Sequence, residues 1–268
     1  MPYHSIAFGG GGMRGGAYIG ALRALLEVQG SLEFPDGIYG CSIGSVAASL
    51  VAFNIPFEKL RSVLGSYHKR SMWLTTPSVT QVFGISQKKG LLNMDTLRNS
   101  LISLFTECGI ESIGTKKISD APQPLFIVAS NMTTRRPAIL TGDVPLLQAI
   151  LCSCCIPGIF EPQILYGDVY LDAGIYVRRV GHIVSPDTLV LQLSPVTTKI
   201  TPQSSLTEIL YACYYGKETV SPTKNICQYR DLNVGVIDDV TDEQREQLIE
   251  KGYSQTLAFL TKMIAKER

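Results

Sequence analysis

Apolar residues along this chain follow two rhythms. Short apolar runs closed by glycine or a polar turn read as buried strands, and stretches with apolar positions three or four apart read as helices. Residues 4–8, HSIAF, form the first run and end in glycines. Residues 15–29 follow with Ile19, Leu22, Leu25 and Leu26 at helical spacing, and Gly30 marks the stop. Residues 37–41, GIYGC, predict a second strand and 43–53 a second helix. The chain thus opens strand, glycine loop, helix, strand, tight turn, helix, which predicts a parallel sheet with helices on both faces. Beyond this, 57–70 predicts a helix, 71–92 gives mixed signals, and Asp95–Phe105 predicts a helix with an acidic first turn. Residues 125–132, LFIVASNM, predict a strand, and Pro145–Ser153 a helix with proline near its start. Residues 168–177, DVYLDAGIYV, read as a strand running into a turn, and 188–193, TLVLQL, as the next strand. The clearest helix is 241–268, capped by Thr241 with Gln244 three residues on. Asp242 and Glu243 suit its first turn, and Lys262, Lys266 and Arg268 its last. Leu248, Ile249, Leu257, Leu260 and Ile264 mark its buried face, with Gly252 as a point of interruption. No repeat or low-complexity linker divides the chain, so a single domain over 1–268 is expected.

Composition then narrows the function classes. The 268 residues are 45% apolar, enough for a sizeable core, and the formal net charge is +1. That balance supplies no field to hold nucleic acid but suits an uncharged or interfacial substrate. The start, MPYHSIAFGGGG, lacks the basic lead and apolar length of a secretory signal. No apolar run reaches the ~18 residues of a membrane span, so any membrane is expected to be met from one side. Seven cysteines without regular spacing predict reduced thiols and an intracellular setting, cytoplasmic or peripherally membrane-associated. Cys152-Ser153-Cys154-Cys155 contains one C-x-x-C, but no second pair or histidine cluster completes a zinc site. These cysteines read as small buried residues of a tightly packed helix. No metal and no cofactor are called for.

Three stretches carry candidate chemistry. Gly40-Cys41-Ser42-Ile43-Gly44 has the G-x-S-x-G pattern between an apolar strand and a small-residue helix, the setting of a nucleophile elbow. A serine hydroxyl is a weak nucleophile until a base takes its proton. Gly9 to Gly16, GGGGMRGG, follows the first strand and opens the first helix. Two functions compete for that loop: a dinucleotide pyrophosphate site, or an oxyanion hole of backbone N–H groups. The dinucleotide reading expects an acidic residue at the end of the next strand, which ends instead in Gly40-Cys41-Ser42. For the base, His4 lies before the first strand, His68 ends a helix beside Lys69 and Arg70 on what reads as solvated surface, and His182 follows Arg178 and Arg179. Asp172, closing an apolar strand in Leu171-Asp172-Ala173-Gly174, is the better candidate. Its free pKa of about 4 would rise in a partly desolvated site and make it a stronger base.

Together these residues resemble the patatin-like phospholipase family. The resemblance rests on Gly10-Gly11-Gly12-Met13-Arg14-Gly15, on Gly40-Cys41-Ser42-Ile43-Gly44, on Asp172-Ala173-Gly174, and on AILCSCCIPGIFEP over 149–162, and it covers roughly 4–195. It implies a three-layer α/β/α sandwich with a mainly parallel central sheet and a serine–aspartate dyad without histidine. It implies hydrolysis of lipid acyl esters without a metal. Ser42 is then the nucleophile and Asp172 the proton acceptor. The oxyanion hole falls on the loop from Gly10 through Met13 and Arg14 to Gly15, around the amides of Gly11 and Gly12. The third motif reads D-A-G where many members have D-G-G or D-G-A. Arg14 reads as a brace for the loop, with attraction of a lipid phosphate as the other role. Lys88-Lys89, Arg135-Arg136 and Arg178-Arg179 are candidates for anionic head groups, and 71–92 for a cap over an acyl groove.

The expected function is therefore a lipid acyl hydrolase of the phospholipase A or lysophospholipase type, acting on lipid or phospholipid at a membrane or micelle surface. The alternatives are acyl transfer on the same dyad, a hydrolase with His182 as base, a dinucleotide-binding enzyme, and a non-catalytic lipid-binding protein of the same fold.

Overall fold

The computed structural model describes residues 3–193, 202, 223 and 225–267. A sheet of eight strands lies at its centre. In chain order these are β1 (Ser5–Phe8), β2 (Gly37–Cys41), β4 (Leu125–Asn131), β5 (Arg136–Leu140), β7 (Gln163–Leu165), β8 (Asp168–Leu171), β9 (Leu189–Leu193) and β10 (Ile226–Tyr229). The order across the sheet is β10-β9-β1-β2-β4-β8-β7, with β5 also on β4. Strands β10, β9, β1, β2 and β4 pair in parallel. The β4–β5, β4–β8 and β8–β7 pairings are antiparallel. Strands β3 (Gly90–Leu92) and β6 (Gly158–Phe160) make a separate parallel pair.

The central strands read as unbroken apolar runs because both faces are covered. Ile6, Phe8, Ile38, Ile127 and Leu191 pack in the main core. Ala7, Cys41, Val128 and Val190 pack with Ala173, Val177 and Val180 on the other side. Helices α1 (Ala17–Gln29), α2 (Ile43–Ala52), α3 (Phe57–Ser66), α6 (Asp95–Glu107), α7 (Leu146–Ser153) and α8 (Asp242–Glu267) flank the sheet, with short α4 (Val79–Phe83) and α5 (Ile85–Lys88) between α3 and β3. Gly30 ends α1 with a left-handed φ of 80°. Thr241 and Gln244 cap α8 reciprocally, at 2.9 and 3.2 Å.

Several boundaries differ from the periodicity. The helix predicted over 57–70 stops at Ser66, where buried Tyr67 turns its carbonyl to the Trp73 indole N–H at 2.8 Å. The strand read as running into a turn over 168–177 does so after Leu171, where the Asp172 side chain accepts the Gly174 N–H at 2.8 Å and starts a 3₁₀ turn. Gly252 does not interrupt α8. A Cβ there would lie 1.9 Å from the Ala17 carbonyl oxygen, and one on Gly20 would lie 1.8 Å from that of Ile249. The two glycines let α1 and α8 cross at backbone contact. Ile264 is exposed rather than buried; Leu260, one turn earlier, is the last of the predicted apolar face to be fully covered.

Candidate active site

Strand β4 serves as a template. One of its edges carries β5, from Ile127 opposite Leu140 to Asn131 opposite Arg136. A strand has two edges, so β2 and β8 share the other, Cys41 opposite Val128 and Leu171 opposite Ser130. They run toward each other and stop on either side of Ala129. The next residue of each is Ser42 and Asp172. Two chains cannot occupy one slot, and both turn out of the sheet there.

Ser42 turns with φ 52° and ψ −128°, a left-handed conformation unusual for a residue with a side chain. The local sequence makes this turn possible. A Cβ on Gly40 would lie 2.5 Å from the Gly44 carbonyl oxygen, and one on Gly44 would lie 2.3 Å from that of Phe8. Ser45 holds the turn from inside: its N–H and hydroxyl donate to the Ser42 carbonyl at 2.7 and 2.6 Å. The Ser42 N–H donates to the Ser153 hydroxyl oxygen at 2.8 Å, and that hydroxyl donates to the Val128 carbonyl at 2.6 Å. Two residues on, the Cys155 carbonyl accepts the Asp172 N–H at 2.7 Å. One end of α7 therefore fixes both residues. Ser153 and Ser45 escaped the sequence reading, which gave the CSCC stretch and the small residues only packing roles.

Asp172 is 1% exposed and Ser42 8%. The field of the carboxylate is felt around them. Burial first, and then the Asp172 charge, push the Cys41, Cys154 and Cys155 thiols up, while hydrogen bonds with Ser45 and Ser42 oppose the rise at Cys154. Ala173 keeps a negative φ within its 3₁₀ turn, so the D-A-G variant puts no strain on that segment.

The glycine loop faces this pair. A Cβ on Gly10 would lie 3.3 Å from Ser42 Cβ, and one on Gly15 would lie 2.5 Å from Ile43 Cγ1. Gly12 has φ 57°, and a Cβ on it would lie 2.0 Å from the Val236 carbonyl oxygen. That carbonyl accepts the Met13 N–H at 2.9 Å. The Arg14 N–H points to the Gly11 carbonyl at 3.4 Å and its Nε–H donates to the same oxygen at 3.1 Å. Arg14 is 3% exposed, so it braces the loop from inside. The Tyr18 hydroxyl adds a second brace, donating to the Gly9 carbonyl at 2.5 Å. The Met13 and Arg14 amides are thus engaged within the fold, and Gly10 is the loop residue that lies against Ser42.

Ser42 and Gly12, Met13 and Gly15 of this loop line an apolar channel of about 1160 Å³, its open mouth included. Leu22 of α1 and Val46 and Leu50 of α2 line one side, and Trp73, Leu97 and Phe160 another. His68 lines this channel instead of lying on solvated surface: Nδ1 is 2.8 Å from the Gly65 carbonyl oxygen and Nε2 2.9 Å from Asp242 Oδ1. These contacts join the end of α3 to the start of α8. His4 and His182 are exposed and neither lines the channel. Among the described residues no His, Cys, Asp and Glu cluster could hold a metal, and no helix is long and apolar enough to cross a membrane. A serine at a strained turn, a buried carboxylate at the neighbouring strand end and an apolar channel beside the serine suit chemistry on an apolar ester.

Known proteins match the same region. The fold is similar to that of VipD from Legionella pneumophila, with a TM-score of 0.60 at 16% identity over 97% of this chain and 67% of that one. It is similar to ExoU of Pseudomonas aeruginosa, in a complex with SpcU, with a TM-score of 0.51 at 16% identity over 97% of this chain and 52% of that one. In sequence, the chain is 26% identical over 174 residues to an uncharacterised NTE family protein of Mycobacterium tuberculosis, covering 65% of this chain and 43% of the relative. It is 24% identical over 174 residues to an uncharacterised protein of Acanthamoeba polyphaga mimivirus, covering 63% and 57%. YqhO of Bacillus subtilis is 23% identical over 268 residues, covering 94% and 85%. The chain thus spans about half the length of the mimivirus and mycobacterial relatives. The patatin-like phospholipase family model matches residues 6–179, which run from β1 through the glycine loop and Ser42 to the turn after Asp172, and the chain belongs to that family.

Proposed function

We propose that this protein is a lipid acyl hydrolase that cleaves fatty acyl esters through Ser42 and Asp172. The observation that carries the reading is the meeting of β2 and β8 on one edge of β4, which delivers a strained serine and a buried carboxylate to the same point beside the glycine loop. In this reading Asp172 takes the Ser42 proton as the hydroxyl oxygen attacks the ester carbonyl. The Gly10–Gly12 amides receive the oxyanion. The alcohol leaves with the proton held by Asp172; water, deprotonated by the same carboxylate, then attacks the acyl carbonyl, and Asp172 returns that proton to the Ser42 oxygen as the fatty acid leaves. The apolar channel takes the acyl chain.

A fluorophosphonate probe tests the reading: it should label the protein, and peptide mapping should place the label on Ser42. A protein that binds lipid without catalysis would stay unlabelled. Fatty acid released from mixed lipid vesicles would then identify the ester cleaved, and acyl transfer would appear as a new ester in place of free acid.

Two further variants separate positioning from chemistry. His182→Asn should leave hydrolysis of a soluble short-chain ester within about twofold, because His182 lies on an exposed turn and has no place in the mechanism. A large loss with the fold intact would replace the dyad by a triad. Ser153→Ala removes the partner of the Ser42 N–H and of the Val128 carbonyl together. It should cost about 1–3 kcal/mol of stability and lower kcat about 10–100-fold with KM little changed, since a misplaced elbow weakens the transition state more than binding. Steady-state kinetics and thermal melts check both numbers.

A further inference from the structure

We propose that the surface built by residues 68–92 docks this protein on an anionic lipid bilayer, with Phe83 entering the acyl region and basic side chains holding the head groups. The lipid hydrolase reading gives this docking its purpose, but the observations behind it are separate. Phe83 is 82% exposed, and Val82 and Ile85 beside it are exposed as well. They do not hang on a loose loop: Ser78 and Gln81 close a reciprocal cap on α4, so the turn carrying Phe83 is built. Neighbouring exposed apolar side chains on a built turn are the kind of patch that interaction sites use.

Charge identifies the partner. The whole chain carries 24 Lys and Arg against 23 Asp and Glu. Yet the stretch 59–94 contains Lys59, Arg61, Lys69, Arg70, Lys88 and Lys89 and no acidic residue. Lys88 ends α5 and Lys89 follows it, both exposed, with Lys88 3.5 Å from Glu161 Oε1. Apolar tips flanked by cations fit the boundary between acyl chains and anionic head groups.

Position gives the docking a consequence. The segment starts from Trp73 and Leu74, which line the channel, and returns through β3, whose Leu92 pairs with Phe160, a residue of the same lining. A bilayer engaged by α4 and α5 is thereby attached at two points to the lining of the channel that Ser42 shares. The other conspicuous apolar tip, Tyr166 at 75% exposure, lies in the β7–β8 turn beside Asp168 and has no such charge or attachment.

Sedimentation with phosphatidylcholine vesicles containing phosphatidylglycerol tests this on the whole chain. Wild type should bind these vesicles, more weakly as salt rises. Phe83→Asp should lower the partition coefficient at least about tenfold, and Lys88→Gln combined with Lys89→Gln about tenfold. Tyr166→Asp should leave it unchanged, and all three proteins should hydrolyse a soluble short-chain ester like wild type. Vesicle binding needs no turnover, so Ser42→Ala should bind as wild type does. If vesicles bind through Phe83 while no ester is cleaved, the hydrolase reading falls and the docking stands. The docking falls if wild type ignores the vesicles, if Phe83→Asp binds as well as wild type, or if Tyr166→Asp is the variant that loses binding. It falls equally if Phe83 instead proves to mediate self-association in sedimentation velocity.

Discussion

Replacing Ser42 by alanine is expected to abolish ester hydrolysis, by about 10⁴-fold or more, and to remove fluorophosphonate labelling. The variant should fold, because alanine keeps the backbone N–H that Ser153 accepts and the carbonyl that Ser45 caps. It also fills no new space. Asp172→Asn should lose about 10²–10⁴-fold, the range of a missing general base. Here the choice of asparagine matters. Its side-chain oxygen can still accept the Gly174 N–H that starts the 3₁₀ turn, but an amide cannot take a proton from serine. The two residues act on one proton, so their effects should not add, and the double variant should be no slower than Ser42→Ala. Rates on a soluble ester for the three proteins decide this. An Asp172→Asn enzyme within tenfold of wild type would remove the carboxylate from the mechanism.

A loss of stability is also expected at a residue far from the chemistry. Gly252→Ala looks favourable from helix propensity alone, since alanine inside a helix gains about 0.8–1 kcal/mol over glycine. Packing points the other way. The new Cβ would meet the Ala17 carbonyl oxygen at 1.9 Å and its carbon at 2.7 Å, both backbone atoms that cannot rotate aside. Separating α1 from α8 also disturbs Gly20 against Ile249 and the Tyr253 hydroxyl donating to Glu27 Oε2 at 2.7 Å. Overpacking of this kind costs about 1–3 kcal/mol or more, so clash exceeds propensity. The net loss should appear as a Tm lower by several degrees, at roughly 2–4 °C per kcal/mol for a domain of this size. An unchanged or raised Tm would mean that the helices can move apart freely.

The same glycine shows where sequence reading succeeds and where it stops. Periodicity found α8 and its caps because those signals are local. It took Gly252 for an interruption because the reason for a glycine there lies on α1, more than two hundred residues earlier. The paired opening of β1 and β2 was legible for a similar reason to α8: apolar runs, glycines and intervening helices lie close together in sequence. Strands β3, β5, β6 and β7 were not legible. They are three to five residues long, and β5 has a largely exposed face, so neither alternation nor a buried run sets them apart. At the site, Ser42, Asp172 and the glycine loop stood out because their motifs name residue types. Ser153, Tyr18 and Val236 did not, because each acts through contacts that only the folded chain makes. His68 was misplaced onto solvated surface because its neighbours Lys69 and Arg70 are polar, while its own ring turns inward. Residues 194–201 and 203–222 lie outside the described part of the chain.

The end-to-end arrival of β2 and β8 on β4 has a consequence for how this site tolerates change. The gap between the two strands is measured by Val128, Ala129 and Ser130, a backbone ruler of roughly 6.6 Å at 3.3 Å per residue. Side chains around it can be exchanged without altering that length, provided volume is kept. Adding or removing one residue between Val128 and Ser130 would alter it at once, and would also turn every later side chain of β4 to the opposite face. Substitution and insertion are therefore unequal here. The core can drift far in sequence, while the count of residues along three positions of a single strand stays under constraint.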